Sequence, residues 1–449
     1  MGRGHLEKRI LSNRLEPNEY IKNFCDLHSP LDQHEALVEA ERCLFCYDAP
    51  CQTACPAEID VALFIREIAT NNTLGAARTI FDQNIFGGMC ARVCPVEILC
   101  EQACVRQASE GKPVKIGQLQ RFATDLAMNE DKQFYRSQSP SGKKIAIIGA
   151  GPAGISCAHR LSMLGHEVEI FDAKQKSGGL NEYGLAAYKS VNDFAQKEIN
   201  YILKIGNIKI HHNKALGQDF TLKELENNYD AIFLGLGLGD VNNLNIKNEN
   251  AKGVEDAIDF IARLRQEHDK SKIAIGQDIV VIGGGMSAID AAIQAKLLGA
   301  KNVTICYRRG KEQMGASEYE QQLATSKGIV IKHWLSPKKI KTKHGKLTGI
   351  KFNYTKLKNG KLINIDQSIT LKAAQIFKAI GQNLISENID SLQLKSKRIL
   401  VDENMRTSNK KIFAGGDCIY GGDDLTVSAS ANGRDAAIAI NKQLMEEAK

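Results

Sequence analysis

A chain of 449 residues, 43% hydrophobic and 25% charged, can bury large cores in about two or three domains and is not biased towards disorder. Its net charge of +7 comes from 59 basic against 52 acidic residues, a small excess over a long chain that argues against nucleic-acid binding. No stretch approaches the roughly 18 apolar residues of a membrane span, and the N-terminal MGRGHLEKRILSNRL has charges where a signal peptide needs an apolar core, so the sequence predicts a cytoplasmic protein.

Residues 1–138 read as helical. Apolar positions recur at helical spacing in IDVALFIREIAT and LGAARTIFDQN, Asp60 is placed to cap a helix starting near Val61, and Gly75 and Gly87 sit where turns are expected. Within this region lie eight of the twelve cysteines. Cys43, Cys46, Cys51 and Cys55 form C-x2-C-x4-C-x3-C with Pro56 behind, and Cys90, Cys94, Cys100 and Cys104 form C-x3-C-x5-C-x3-C with Pro95 after the second cysteine. Both are iron-sulfur patterns, and eight thiols suggest two clusters. Zinc usually needs paired CxxC knuckles or added histidines, but there is one CxxC and no histidine between Cys43 and Cys104. Disulfides suit small secreted domains rather than a chain with so large a globular remainder.

SQSPSG at 137–142 has the composition of a linker. Beyond it, KIAIIGAGPAGISCAHRLSMLGHEVEIFDA reads as strand, glycine turn, helix and strand. Gly149, Gly151 and Gly154 form GxGxxG in the context that gives the motif meaning, and Asp172 ends the second strand, where it can bind a ribose hydroxyl. The plan recurs at DIVVIGGGMSAIDAAIQAKLLGAKNVTICYRR, with Gly283, Gly285 and Ala288 in the three positions and Arg308 and Arg309, instead of an acid, after the second strand. Two arginines suit a 2′-phosphate; they also suit a solvated surface or another part of a cofactor.

Between the two folds, YDAIFLGLGLG at 229–239 reads as a buried strand running into a glycine turn. Residues 332–361 carry ten lysines around Gly345 and Gly360, which reads first as a solvated hairpin edge protected by its charge and second as a docking patch for an acidic partner. KKIFAGGDCIYGGDDLTVSASANGRDAAIAI then gives a strand, a turn holding Asp417, and a helix beginning near Thr426. The fold class is therefore α/β with an N-terminal α-helical iron-sulfur domain and two Rossmann-like dinucleotide-binding domains, the second inserted into the first. The expected divisions are 1–138, 143–272, 273–376 and 377–449.

CLFCYDAPCQTACP, the spacing in CPVEILC, IGQLQRFA and GGLNEYGLAAYK resemble the dihydropyrimidine dehydrogenases, in particular the separate NAD(P)H-oxidising subunit of the bacterial enzymes. The chain is also similar to the small subunit of glutamate synthase, where the gap before the third cysteine of the second group is typically shorter. The resemblance implies that Cys43, Cys46, Cys51 and Cys104 hold one 4Fe-4S cluster and Cys55, Cys94, Cys100 and Gln120 the other, leaving the role of Cys90 open. It implies FAD at the first dinucleotide fold (residues 143–272 and 377–449), near Asp172, Gly179, Leu180, Asp417 and Thr426, and NAD(P)H at the second (273–376), with the choice between NADH and NADPH open.

On that resemblance the activity is electron input, from NAD(P)H through FAD and two 4Fe-4S clusters to an FMN-containing partner subunit that has further iron-sulfur clusters and reduces uracil or thymine. A heterotetramer is implied. Hydride transfer itself needs positioning rather than an acid or base, so no catalytic proton-transfer residue is assigned. The rival enzymes are a glutamate synthase small subunit and a ferredoxin-type NAD(P)H oxidoreductase. A non-enzymatic redox scaffold is the rival of another class, and two intact dinucleotide fingerprints speak against it.

Overall fold

The computed structural model describes residues 10–446; the first nine residues, part of the charged stretch on which the cytoplasmic reading rests, and the last three lie outside the described residues. The chain divides into two compact units. Among the described residues no helix is long and apolar enough to cross a membrane.

The larger unit comprises His28–Glu182, Asn192–Asp240 and Asn383–Lys449. Its N-terminal part is helical, as the periodicity predicts. In Val61–Ala69 the apolar side chains of Val61, Phe64, Ile65 and Ile68 fall on one face and are buried, and Asp60 caps the helix by accepting from the Leu63 N–H at 2.9 Å. Gly75 departs from the expectation, for it lies inside the helix Thr73–Gln83 rather than in a turn. Asn72 caps that helix through the Gly75 N–H, and a Cβ on Gly75 would lie 2.2 Å from the Asn72 amide, so the glycine makes room for the cap. Gly87 opens the helix Gly87–Val93 directly after a turn.

Behind these helices is a five-stranded sheet, ordered Ile412–Ala414, Ala231–Leu234, Lys144–Ile148, Glu167–Asp172, Ile208–His212, with every pair parallel. The chain leaves the sheet after Ala231–Leu234 and returns beside it at Ile412–Ala414, so the second dinucleotide fold is an insertion into the first. Helix Pro152–Met163 packs on the long helix Thr426–Glu446 backbone to backbone: a Cβ on Gly433 would stand 2.0 Å from the Ala153 carbonyl oxygen.

The smaller unit comprises Met1–Leu27, Tyr183–Val191 and Val241–Gln382. Its five-stranded parallel sheet runs Val254–Asp256, Gln375–Ala379, Asp278–Gly283, Asn302–Cys306, Val330–Lys332. The core includes Phe260 stacked on Phe377 with ring centroids 4.2 Å apart. Segment Tyr183–Val191 is tied to this unit by a buried charge cluster in which the Lys189 ammonium lies 2.8 Å from both Asp290 and Glu320, while the Tyr188 hydroxyl donates to Asp290. Burial alone would lower the Lys189 pKa, but the two carboxylates outweigh it and the net shift is upward.

The lysine-rich stretch is an antiparallel sheet of three strands, Leu335–Lys343, Lys346–Lys358 and Lys361–Lys372. His344–Gly345 and Asn359–Gly360 both have positive φ at each residue, the two-residue turn geometry that matches the twist of a hairpin. Ile340, Ile350 and Phe352 fill its buried face.

Candidate functional site

The cysteines of the two sequence groups cross over in space. Cys43, Cys46 and Cys51 are joined by Cys104, from the second group, in lining one cavity. Left-handed backbone at Phe45 and Ala49 (φ 50° and 32°) winds the chain tightly from Cys43 to the short helix Pro50–Thr53 that carries Cys51. Val61, Ile65, Val114 and Ile116 supply the apolar wall.

Cys55, from the first group, lies instead with Cys90, Cys94, Cys100 and Gln120 around a second cavity. The Gln120 amide nitrogen donates to the Gly87 carbonyl at 2.7 Å, which leaves its carbonyl oxygen as the atom free for a metal. Cys90 is buried, and its sulfur accepts from the Asn84 amide at 3.1 Å.

Both cavities fit cubane clusters. Among the described residues no group of three His, Cys, Asp or Glu side chains converges closely enough for a single metal ion, yet four thiols line one cavity and four thiols with a neutral oxygen line the other. That spread suits a multi-atom cluster better than one zinc. Burial pushes the Cys51 thiol up to about 11 and holds Cys94 and Cys100 well above the usual thiol range, so taking up metal here means releasing protons.

One neighbouring carboxyl is not legible in any motif. Glu198 is fully buried, and its Oε1 accepts from the Met89 N–H at 2.9 Å, 109 positions away in sequence. Burial raises its pKa to about 8 against the pull of the Met89 N–H and of Arg92. Among the described residues its Oε2 has no hydrogen-bond partner, which suits a neutral acid at physiological pH. Arg92 sits with its guanidinium 3.4 Å from the Phe194 ring centroid and 2.8 Å from both Asp125 oxygens, a packing that no local spacing signals.

In the first dinucleotide fold each glycine has a distinct steric reason. Gly149 has φ 100° and a Cβ there would meet the Gly235 carbonyl at 2.2 Å; on Gly154 it would meet the Gly149 carbonyl at 1.9 Å. Gly151 faces open space apart from the Gly179 Cα, so the two glycines leave a bare backbone wall before the N-terminus of Pro152–Met163. Asp172 accepts from the Ala150 N–H at 2.6 Å and the Lys174 N–H at 2.7 Å, bracing the glycine loop from the strand end.

Leu180 opens the short helix Leu180–Tyr183. Beside it, Asn181 accepts from the Thr426 hydroxyl at 2.6 Å while its own amide nitrogen is buried and unpartnered, an orphan donor consistent with a ligand at this place. Asp417 is pushed up to about 7, first by burial and then by Asp424. These features fit a bound dinucleotide. Val427 lines the second cysteine cavity, so adjacent residues of one helix touch Asn181 and that cavity.

In the second fold Gly283 (φ 150°) would clash with the Ala379 carbonyl at 2.1 Å if it carried a Cβ, Gly285 has nothing near it, and Ala288 is fully buried against the sheet. Arg308 and Arg309 follow the strand Asn302–Cys306. Their backbone carbonyls are held by the Thr355 hydroxyl and the Trp334 N–H, and among the described residues neither guanidinium has an ion-pair partner. Arg308→Ala with Arg309→Ala is expected to weaken NADPH more than NADH, by roughly tenfold to a hundredfold for each arginine that grips the phosphate. Dissociation constants for the two coenzymes check this, and equal losses would show that neither arginine reads the phosphate.

Residues 20–132 match the family described as dihydropyrimidine dehydrogenase domain II, 4Fe-4S cluster, and residues 143–433 match pyridine nucleotide-disulphide oxidoreductase. The chain is 35% identical over 412 residues to the Salmonella typhi NAD-dependent dihydropyrimidine dehydrogenase subunit PreT homolog, covering 92% of this chain and 95% of that protein. It is 32% identical over 443 residues to the small chain of the NADPH glutamate synthase of Escherichia coli K12, covering 93% of each. Thioredoxin reductase of T. acidophilum shares the fold with a TM-score of 0.54 at 21% identity, over 68% of this chain and 99% of that one.

Proposed function

The chain belongs to the PreT-type family of dihydropyrimidine dehydrogenase subunits and is an oxidoreductase, and from that premise we propose that it is the electron-input subunit of such an enzyme, oxidising NAD(P)H and delivering electrons to an FMN-containing partner that reduces uracil or thymine. The observation that carries the reading is the pair of cysteine-lined cavities in one compact unit with a dinucleotide fold, the second cavity sharing the start of helix Thr426–Glu446 with the expected flavin wall.

When bound, FAD takes a hydride and releases electrons singly, which is the conversion that one-electron clusters require. The chain's residues do the rest. Gly151 and Gly179 let backbone approach a pyrophosphate, Asp172 fixes the loop that holds it, and the Thr426 hydroxyl orients Asn181 by donating to its side-chain oxygen. Gly283 and Gly285 repeat this for the nicotinamide coenzyme. Cys43, Cys46, Cys51 and Cys104 would hold one 4Fe-4S cluster and Cys55, Cys94, Cys100 and Gln120 the other.

Anaerobically purified protein is expected to contain one FAD and about eight irons and to reduce an artificial dye with NADH or NADPH. Alone it should not reduce uracil. Adding the FMN-containing subunit should bring pyrimidine reduction. Zinc in place of iron, or uracil reduction by the lone chain, would sink the assignment.

A further inference from the structure

Ten lysines and a single acid, Asp366, occupy the three strands from Leu335 to Lys372. Their excess exceeds the +7 of the whole chain, so the remainder is slightly acidic. Some lysines elsewhere pair with carboxylates, as Lys378 does with Glu249 and Asp256, but among the described residues none of these ten has an ion-pair partner.

The register makes the concentration costly to the fold. Lys339 lies directly across from Lys351, Lys343 from Lys346, and Lys358 from Lys361. Like charges directly opposed destabilise a sheet. Protection of a free edge does not account for the pattern either. The outer strand Lys361–Lys372 has lysine only at its two ends, whereas four lysines stand on the central strand, both of whose edges are already paired. Four more stand on Leu335–Lys343, whose outer side is partly covered where the Ile340 N–H donates to the Lys247 carbonyl.

Alternation turns Ile340, Ile350 and Phe352 into the core and places Lys339, Lys341, Lys351 and Lys372 together on the opposite face. The other members of that face include Asn353, Ser368 and Thr370, with no aromatic ring on which a base could stack. Every cation of the sheet is lysine and none is arginine, a choice of mobile, hydrated point charges over the planar fork that grips phosphate.

We propose that this face docks an acidic protein surface, that of the subunit receiving the electrons, and that it acts by steering the encounter. The partner's identity rests on the functional reading above; the acidic character of its contact surface follows from the sheet. Long-range attraction of this kind raises association rates and is screened by salt.

The test is stopped-flow association of the full, cofactor-loaded chain with the FMN-containing subunit over a range of salt. Lys339→Glu, Lys341→Glu and Lys351→Glu together should slow association roughly tenfold to a hundredfold at low salt and flatten the salt dependence. The three neutral Gln versions should give a smaller change in the same direction, and reversing Lys197, Lys223 and Lys442, exposed and outside the sheet, should have little effect. Dye reduction by NADH should be unchanged in every variant. Unchanged association in the sheet variants, an equal effect from the control set, or tighter binding of short duplex DNA or phosphatidylserine vesicles than of the subunit would each overturn the proposal. Binding with the expected salt dependence but no dye reduction by the wild-type chain would sink the functional reading and leave the docking face standing.

Discussion

Gln120→Ala is expected to remove or convert one cluster, with iron content falling from about eight towards about four or the EPR signal of one cluster changing, while Cys90→Ser keeps both clusters and the dye-reducing activity. Counting thiols would pair Cys90 with the second site, since five candidate ligands line that cavity and four suffice. The geometry separates them. Gln120 is anchored through its nitrogen on Gly87 with its oxygen left over, whereas the Cys90 sulfur already accepts a hydrogen bond from the Asn84 amide. Three thiolates and a neutral oxygen also leave a cluster one charge less negative than four thiolates do, which favours its reduction unless burial and hydrogen bonds to sulfur offset the effect. Loss of a whole cluster in Cys90→Ser, with Gln120→Ala silent, would reverse the assignment.

Lys189→Met is expected to destabilise the protein by about 3–5 kcal/mol, because it leaves Asp290 and Glu320 as buried charges without their shared cation. The methionine keeps the aliphatic stem, so the loss reports charge rather than volume. A triple variant that also carries Asp290→Asn and Glu320→Gln should recover part of the stability. Urea unfolding of each variant, compared at equal m-value, measures the effect. A midpoint unmoved in Lys189→Met would show that the cluster is not holding segment Tyr183–Val191 to the smaller unit.

The parts legible in sequence are those written in short spacings. Both βαβ units, the cap at Asp60, the return strand before Asp417 and the lysine-rich hairpins follow from periodicity, glycine placement or side-chain length acting within a few residues. Gly75 reads as a turn although it is helical, because a glycine demanded by a neighbouring cap looks the same in sequence as one demanded by a positive φ. The crossing of Cys55 and Cys104 between the two cavities is in the sequence reading through the family resemblance, whereas Glu198 against Met89 depends on how helices distant along the chain pack, and no local pattern records that. Lys189 is of the same kind: its partners Asp290 and Glu320 lie more than a hundred positions further on, so its sequence context shows a charge but not that the charge is buried.

The helix Thr426–Glu446 also orders events during synthesis. Arg434 donates to the carbonyls of Ala57 and Gln83, at 2.9 Å each, and Val427 closes the cavity lined by Cys55, Cys94, Cys100 and Gln120. The ribosome therefore delivers every thiol of that cavity long before the wall that seals it. Until that helix is made, the lining of the cavity lacks Val427 and the carbonyls of Ala57 and Gln83 lack the Arg434 guanidinium.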